Sequence, residues 1–83
     1  MYKLVMERQA QKQLAKIPPP YYNNIVDAIK NLELNPRPRG YKKLKGHLSF
    51  RIRVANYRII YAIEEDILFI LILIIAHRKD VYE

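Results

Sequence analysis

Arg51, Arg53 and Arg58 fall within the stretch FRIRVANYRIIY, residues 50–61, and the chemistry that spacing suggests is the holding of phosphate. A guanidinium stays charged at any working pH and presents planar, forked donors that match phosphate oxygens. The surrounding sequence points the same way. No acidic residue lies between Glu33 and Glu64, while Arg37, Arg39, Lys42, Lys43 and Lys45 extend the basic run as further phosphate-contacting candidates. A second cluster closes the sequence: IIAHRKDVYE, residues 74–83, passes from an apolar run straight into His77, Arg78 and Tyr82. These supply an imidazole, a further guanidinium and a phenol, a set able to move protons beside a bound anion. The carboxylates do not form a metal site: Glu64-Glu65-Asp66 reads as a turn, and His47 and His77 lack ligand-like spacing to any acid. No metal or other cofactor is therefore expected.

The elements that must position these side chains are legible as periodicities. Tyr2 to Val5 reads as a short first strand, after which Met6, Ala10, Leu14 and Ile17 repeat at helical spacing. That helix must end before Pro18-Pro19-Pro20. Tyr22, Ile25, Val26, Ile29 and Leu32 mark a second helix, closed by Asn35-Pro36 because the residue before proline disfavours the helical region. Pro36 to Gly46 reads as a basic loop or irregular edge. From Phe50 the period changes to two, giving a hairpin over 50–63, and Ile67 to Ala76, apolar without alternation, reads as a central strand covered on both faces. The expected fold is α+β, in the order β-α-α-β-β-β. A helical hairpin packs on one face of a mostly antiparallel four-stranded sheet, and residues 1–83 form a single domain.

The hairpin decides where the arginines point. With a turn on Ala55-Asn56, Val54 opposes Tyr57, Arg53 opposes Arg58, Ile52 opposes Ile59 and Arg51 opposes Ile60. Opposed residues project to the same side of a sheet. Phe50, Ile52, Val54, Tyr57, Ile59 and Tyr61 then form a face for the helices, and Arg51, Arg53 and Arg58 share the other. Like charges opposed across a sheet are destabilising, so the patch calls for an anion. Ala-Asn is not a favoured type I′ pair, and a longer loop would change this register. The last strand, pairing beside the hairpin, would deliver His77, Arg78 and Tyr82 to the edge of the same patch.

The remaining bounds are broad. The formal net charge is +7 on 83 residues, which fits a polyanionic partner: nucleic acid, an acidic protein or a membrane surface. The chain has no cysteine, so a disulfide framework is excluded and a reducing cytoplasm is the simplest compartment. MYKLVMERQ meets charge before an apolar signal region could form. The apolar run Ile67 to Ala76 falls far short of the roughly 20 residues of a membrane helix, so it reads as core and no membrane-spanning segment is expected.

KKLKG at 42–46, FRIRVANYRIIY at 50–61 and HRKDVY at 77–82, in that order and following a helical hairpin that ends near Leu34-Asn35-Pro36, resemble the RelE/ParE superfamily of toxins, the RelE-like mRNA interferases in particular. The likeness spans nearly the whole chain. It implies a RelE-like fold and a ribosome-dependent endoribonuclease that cuts mRNA in the decoding site. It also implies a RelB-like antitoxin as partner, with operator DNA reached only through the antitoxin complex. By position, the resemblance assigns catalytic roles to Arg51, Arg53, Arg58, Arg78 and Tyr82, with Arg58 and Arg78 as the electrostatic clamp on the phosphate. Tyr82 would serve as general base or as a stacking surface for a nucleotide base. Well-known members carry lysines where this chain has Arg51 and Arg53, and arginine cannot give up its proton as lysine can. Acid and base work then passes to Tyr82 or His77. Two other functions share the features: a ParE-like inhibitor of DNA gyrase on the same fold, and a basic RNA- or DNA-binding module without chemistry.

Overall fold

Apolar side chains at helical spacing need a surface to cover, and here that surface is one face of a single sheet. The computed structural model describes residues 1–44 and 48–80, the side chain of Asp80 excepted. The chain runs through β1 (Lys3–Met6), α1 (Arg8–Ala15), α2 (Tyr21–Leu32), β2 (Lys42–Lys43), β3 (Ser49–Val54), β4 (Tyr57–Glu64) and β5 (Phe69–His77). One 3₁₀ turn, Glu65–Ile67, joins β4 to β5, and another, Arg78–Asp80, follows β5. The sheet order is β1-β5-β4-β3-β2. Only the β1–β5 pair is parallel; the other neighbours are antiparallel.

The α+β class, the helical pair and the mostly antiparallel sheet agree with expectation, but the described residues form five strands where four were expected. The added strand is Lys42–Lys43, which pairs with Arg51 and Phe50 on the edge of β3. Its two lysines carry no strand-forming pattern, and it exists because β3 offers an unpaired edge for backbone hydrogen bonds.

Ala10 and Ile17 from the first helical segment and Ile25, Ile29 and Leu32 from α2 pack with Ile52, Ile59, Tyr61, Ile70, Ile72 and Ile75 to form the core. The missing alternation in β5 has a specific cause. Ile60 pairs with Ile74 but Tyr61 pairs with Ile72, which leaves Leu73 as the extra residue of a bulge. The bulge shifts the register by one, so that Ile72 and Ile75, at odd spacing, are both buried on the helix side. The fully buried residues of β5 lie on the helix side and the others are half-buried, so the cover on both faces that the apolar run suggested is complete on one side and partial on the other.

The basic loop after α2 is anchored at its start. Leu34 and Asn35 donate their N–H groups to the Asn31 carbonyl at 3.1 and 3.0 Å, closing the helix. The Asn35 Oδ1 then accepts the Arg37 N–H at 3.1 Å, an Asx-type turn that sends the chain on. Tyr61, fully buried, donates its hydroxyl hydrogen to the Pro36 carbonyl at 2.6 Å. Burial pushes its pKa up to about 12. Among the described residues no helix is long and apolar enough to cross a membrane.

Candidate functional site

The β3–β4 hairpin turns on Ala55-Asn56 with the expected register: Val54 opposes Tyr57, Arg53 opposes Arg58, Ile52 opposes Ile59 and Arg51 opposes Ile60. Ala55 takes φ 54, a value at the first turn position where a two-residue hairpin usually has glycine. Arg51, Arg53 and Arg58 therefore lie on the side of the sheet away from the core. In the next strand Ala76 stands opposite Arg58, and its small side chain leaves room for the guanidinium.

Arg78 joins this set through the backbone. Its N–H donates to the Asn56 carbonyl at 2.6 Å, so the end of β5 is tied to the hairpin turn. Asn56 was not singled out by the sequence, and its position in the turn was the available signal. The electrostatics record the gathering. Arg58 is held below its usual pKa by burial and then by the positive charges of Arg53, Arg51 and Arg78. Arg51 is lowered first by burial and then by Arg53. All remain cations at working pH, and each lowered value reflects burial together with positive charge concentrated on this face.

His77 is not brought to the arginines. It pairs with Tyr57 and therefore faces the helix side, where the two rings meet edge-on with centroids 5.2 Å apart. Tyr21 adds a third ring, 5.9 Å from Tyr57. The His77 Nδ1 accepts the Lys79 N–H at 3.2 Å, which leaves Nε2 to carry the proton of the neutral ring.

The outer basic residues divide. Lys42 opposes Arg51 and so extends the arginine face, whereas Lys43 opposes Phe50 and faces the other way. Arg39 and Lys42 line a groove along the edge of β3. Arg37, expected to contact phosphate, is engaged elsewhere: it forms an ion pair with Glu65 and lies over the Phe50 ring at 5.5 Å. That hydrogen bond to Glu65 raises its pKa. Lys45 and Tyr82 lie outside the described residues. No group of three or more His, Cys, Asp or Glu able to hold a metal occurs among the described residues.

Comparison with known proteins follows from this geometry. Residues 4–82 match the family model described as ParE toxin of type II toxin-antitoxin system, parDE. Comparison with curated proteins finds no match. Among solved structures, the fold is similar to that in the archaeal RelE-RelB complex from Pyrococcus horikoshii OT3, with a TM-score of 0.84 and 28% identity, covering 96% of this chain and 98% of that one. It is also similar to that in the RelB-RelE antitoxin-toxin complex from Methanococcus jannaschii, with a TM-score of 0.73, 30% identity and 94% of each chain covered. The intact E. coli RelBE complex, at 18% identity and a TM-score of 0.81 over 93% of this chain and 96% of that one, shares the fold.

Proposed function

The chain belongs to the family of ParE toxins of type II toxin–antitoxin systems, and we propose that this toxin is a ribosome-dependent endoribonuclease that cuts mRNA in the decoding site. The observation that carries this reading is the gathering of Arg51, Arg53, Arg58 and Arg78 on the side of the sheet away from the core. A gyrase inhibitor needs a binding surface; four guanidiniums within electrostatic reach of one another suit a centre where negative charge increases during reaction.

In this mechanism the substrate supplies the nucleophile. The 2′-hydroxyl attacks the adjacent phosphorus, the bond to the 5′-oxygen of the next nucleotide breaks, and the products are a 2′,3′-cyclic phosphate and a free 5′-hydroxyl. Arg58 and Arg78 stabilise the additional charge on the phosphorane-like transition state, and Arg51 and Arg53 add to the field. One proton must leave the 2′-hydroxyl and one must reach the 5′-oxygen. The arginines cannot exchange protons, and His77 is turned toward Tyr57 on the helix side. By the family resemblance Tyr82 is the candidate for this transfer, for which its phenol would need a pKa below the usual value of about 10, or it stacks on a nucleotide base.

A RelB-like antitoxin is the proposed partner, acting in the cytoplasm and mediating any contact with operator DNA. The Pyrococcus and Methanococcus relatives are each found in complex with RelB, and a chain of net charge +7 suits an acidic companion. The deciding assay adds purified protein to programmed ribosomes and, in parallel, to a gyrase supercoiling reaction. Cleavage of mRNA in the decoding site, slowed by about a hundredfold or more in Arg78→Ala, is the expected result. Intact mRNA together with blocked supercoiling would overturn the nuclease reading.

A further inference from the structure

His77 stands apart from the arginines, yet the backbone joins it to Arg78. The N–H of Arg78 donates to the Asn56 carbonyl at 2.6 Å, and the next N–H, that of Lys79, donates to the His77 Nδ1 at 3.2 Å. The peptide planes before and after Arg78 are therefore both held by hydrogen bonds. Peptide planes are rigid, and a residue has only two soft backbone angles between them. With both planes fixed, the direction in which the α-carbon carries the Arg78 side chain is fixed as well. The first anchor belongs to the turn that joins the strands of Arg53 and Arg58. The second is a single ring nitrogen.

The ring that supplies this nitrogen is itself held. It meets Tyr57 edge-on at 79°, and the Tyr21 ring beyond Tyr57 connects it to α2. A bond from a side chain to the N–H two residues on is that of an Asx turn, here with an imidazole nitrogen in place of the usual asparagine or aspartate oxygen. The two acceptors differ in one property. An amide oxygen accepts at every pH, whereas Nδ1 accepts only while unprotonated, and imidazoles change charge in the range of about pH 5 to 8. A protonated Nδ1 is a donor and would face the Lys79 N–H, another donor. His77 is half-buried, so protons reach it from water. Its surroundings offer no substitute for the lost bond. Lys16, at the end of α1, lines the same groove as His77 together with Gln9 and Gln13. Tyr57 and Tyr21 present phenol rings, and Arg78 and Lys79 follow in the chain. No acidic side chain among the described residues lines that groove.

We propose that His77 is a positioning residue for Arg78 and makes the aim of that guanidinium dependent on pH. With the ring neutral, Nδ1 holds the Lys79 N–H, and the Arg78 side chain is kept within electrostatic reach of Arg58. With the ring protonated, the peptide plane after Arg78 is released and the side chain loses its fixed direction. His77 faces the helix side and does not touch the reacting groups; it acts through the backbone. The effect on cleavage rests on the ribonuclease reading, in which Arg78 is part of the clamp. The hydrogen bond and its release do not rest on it.

The test begins with the full wild-type chain, followed by NMR from about pH 5 to about pH 8. While the ring is neutral, its nitrogen signals should show a protonated Nε2 and an unprotonated Nδ1, with a scalar coupling between Nδ1 and the Lys79 backbone nitrogen. That coupling should vanish as the ring titrates. On programmed ribosomes at about pH 8, His77→Leu should lower kcat about ten- to a hundredfold, the cost of a misdirected group, with little change in KM. His77→Asn, whose Oδ1 can accept the same N–H two residues on, should restore most of the rate. The ratio of wild-type to His77→Asn rates cancels the pH dependence of the ribosome and of the reaction itself. It should be constant at high pH and fall toward the ratio of the His77→Leu rate to the His77→Asn rate below the ring's own midpoint. Absence of the coupling in the neutral wild type would overturn the proposal. So would a His77→Leu rate equal to wild type, a His77→Asn rate as low as that of His77→Leu, or a ratio that stays constant through the titration. Wild-type protein that leaves mRNA uncut would sink the ribonuclease reading instead, and the coupling and its titration would still decide whether His77 holds the turn.

Discussion

Arg37 and Arg58 lie on opposite sides of the same sheet, and the structure treats their identical side chains in opposite ways. Arg37 has a carboxylate, Glu65, and an aromatic face, Phe50, and its charged form is favoured. Arg58 is surrounded by Arg53, Arg51 and Arg78, and its charged form is disfavoured. The first arginine closes the loop after α2 onto the far end of the sheet. The second belongs to a surface where positive charges lie close together. Residue type alone does not separate the two arginines; their surroundings do, a carboxylate and an aromatic ring for Arg37 and three further guanidiniums for Arg58.

The largest expected effect tests the arginine-rich side of that comparison. Arg58→Gln should lower the rate of ribosomal mRNA cleavage by about 10² to 10³, the cost typical of removing one preorganised donor to a transition state. Its circular dichroism spectrum should match the wild type. An equal loss in Arg37→Gln would abolish the distinction between the two regions.

A smaller effect tests the compensated side. Tyr61 ties Pro36, the residue before Arg37, to the core. Tyr61→Phe should cost about 1–3 kcal/mol in denaturant unfolding, because it leaves a buried carbonyl without its donor. The pH dependence carries a sign. The folded-state pKa of Tyr61 is raised to about 12, above the unfolded value of about 10, so the fold binds the phenolic proton more tightly than the unfolded chain does. The contribution is complete below about pH 10 and is lost as pH rises toward about 12. Alkaline titration of stability should show this loss in the wild type and lack it in Tyr61→Phe.

How much of this was readable beforehand follows the same division. The arginine face was legible because strict alternation in β3 and a two-residue turn leave one hairpin register, and the observed pairs are those. β2 was not, since Lys42-Lys43 has no strand pattern and owes its existence to a neighbouring edge. The side on which His77 falls depends on the β4–β5 register, and a uniformly apolar strand hides the bulge at Leu73 that shifts it. The burial of Arg51 was likewise invisible: alternation assigns a residue to a face but says nothing about what covers that face.

The hairpin turn gives a third, smaller effect. Ala55 at φ 54 is in a region that costs an L-residue roughly 1–2 kcal/mol relative to its right-handed conformations. Ala55→Gly removes that strain while increasing the freedom of the unfolded chain, and the net gain should be about 0.5–1 kcal/mol in denaturant midpoint measurements. Because Asn56 holds the Arg78 N–H, the variant also asks whether the turn sets the spacing between Arg58 and Arg78. A more stable protein with unchanged cleavage would assign the turn to folding alone, and a slower one would make it part of the site.

The smallest effect is the most discriminating. Glu65→Gln removes the carboxylate from Arg37, but the pair is exposed, with side-chain accessibilities of 39% and 54%, and the loss of stability should be no more than about 0.5 kcal/mol. The freed guanidinium still lies over Phe50, on the helix side of the sheet, away from Arg51, Arg53 and Arg58. It gains no access to a strand bound there. The affinity for a single-stranded oligonucleotide with 2′-O-methyl groups throughout, which cannot be cut, should therefore keep the same salt dependence, even though the protein has gained one positive charge. A slope steeper by about one phosphate contact would mean that the strand reaches Arg37, and that the two arginine environments are stretches of a single RNA path.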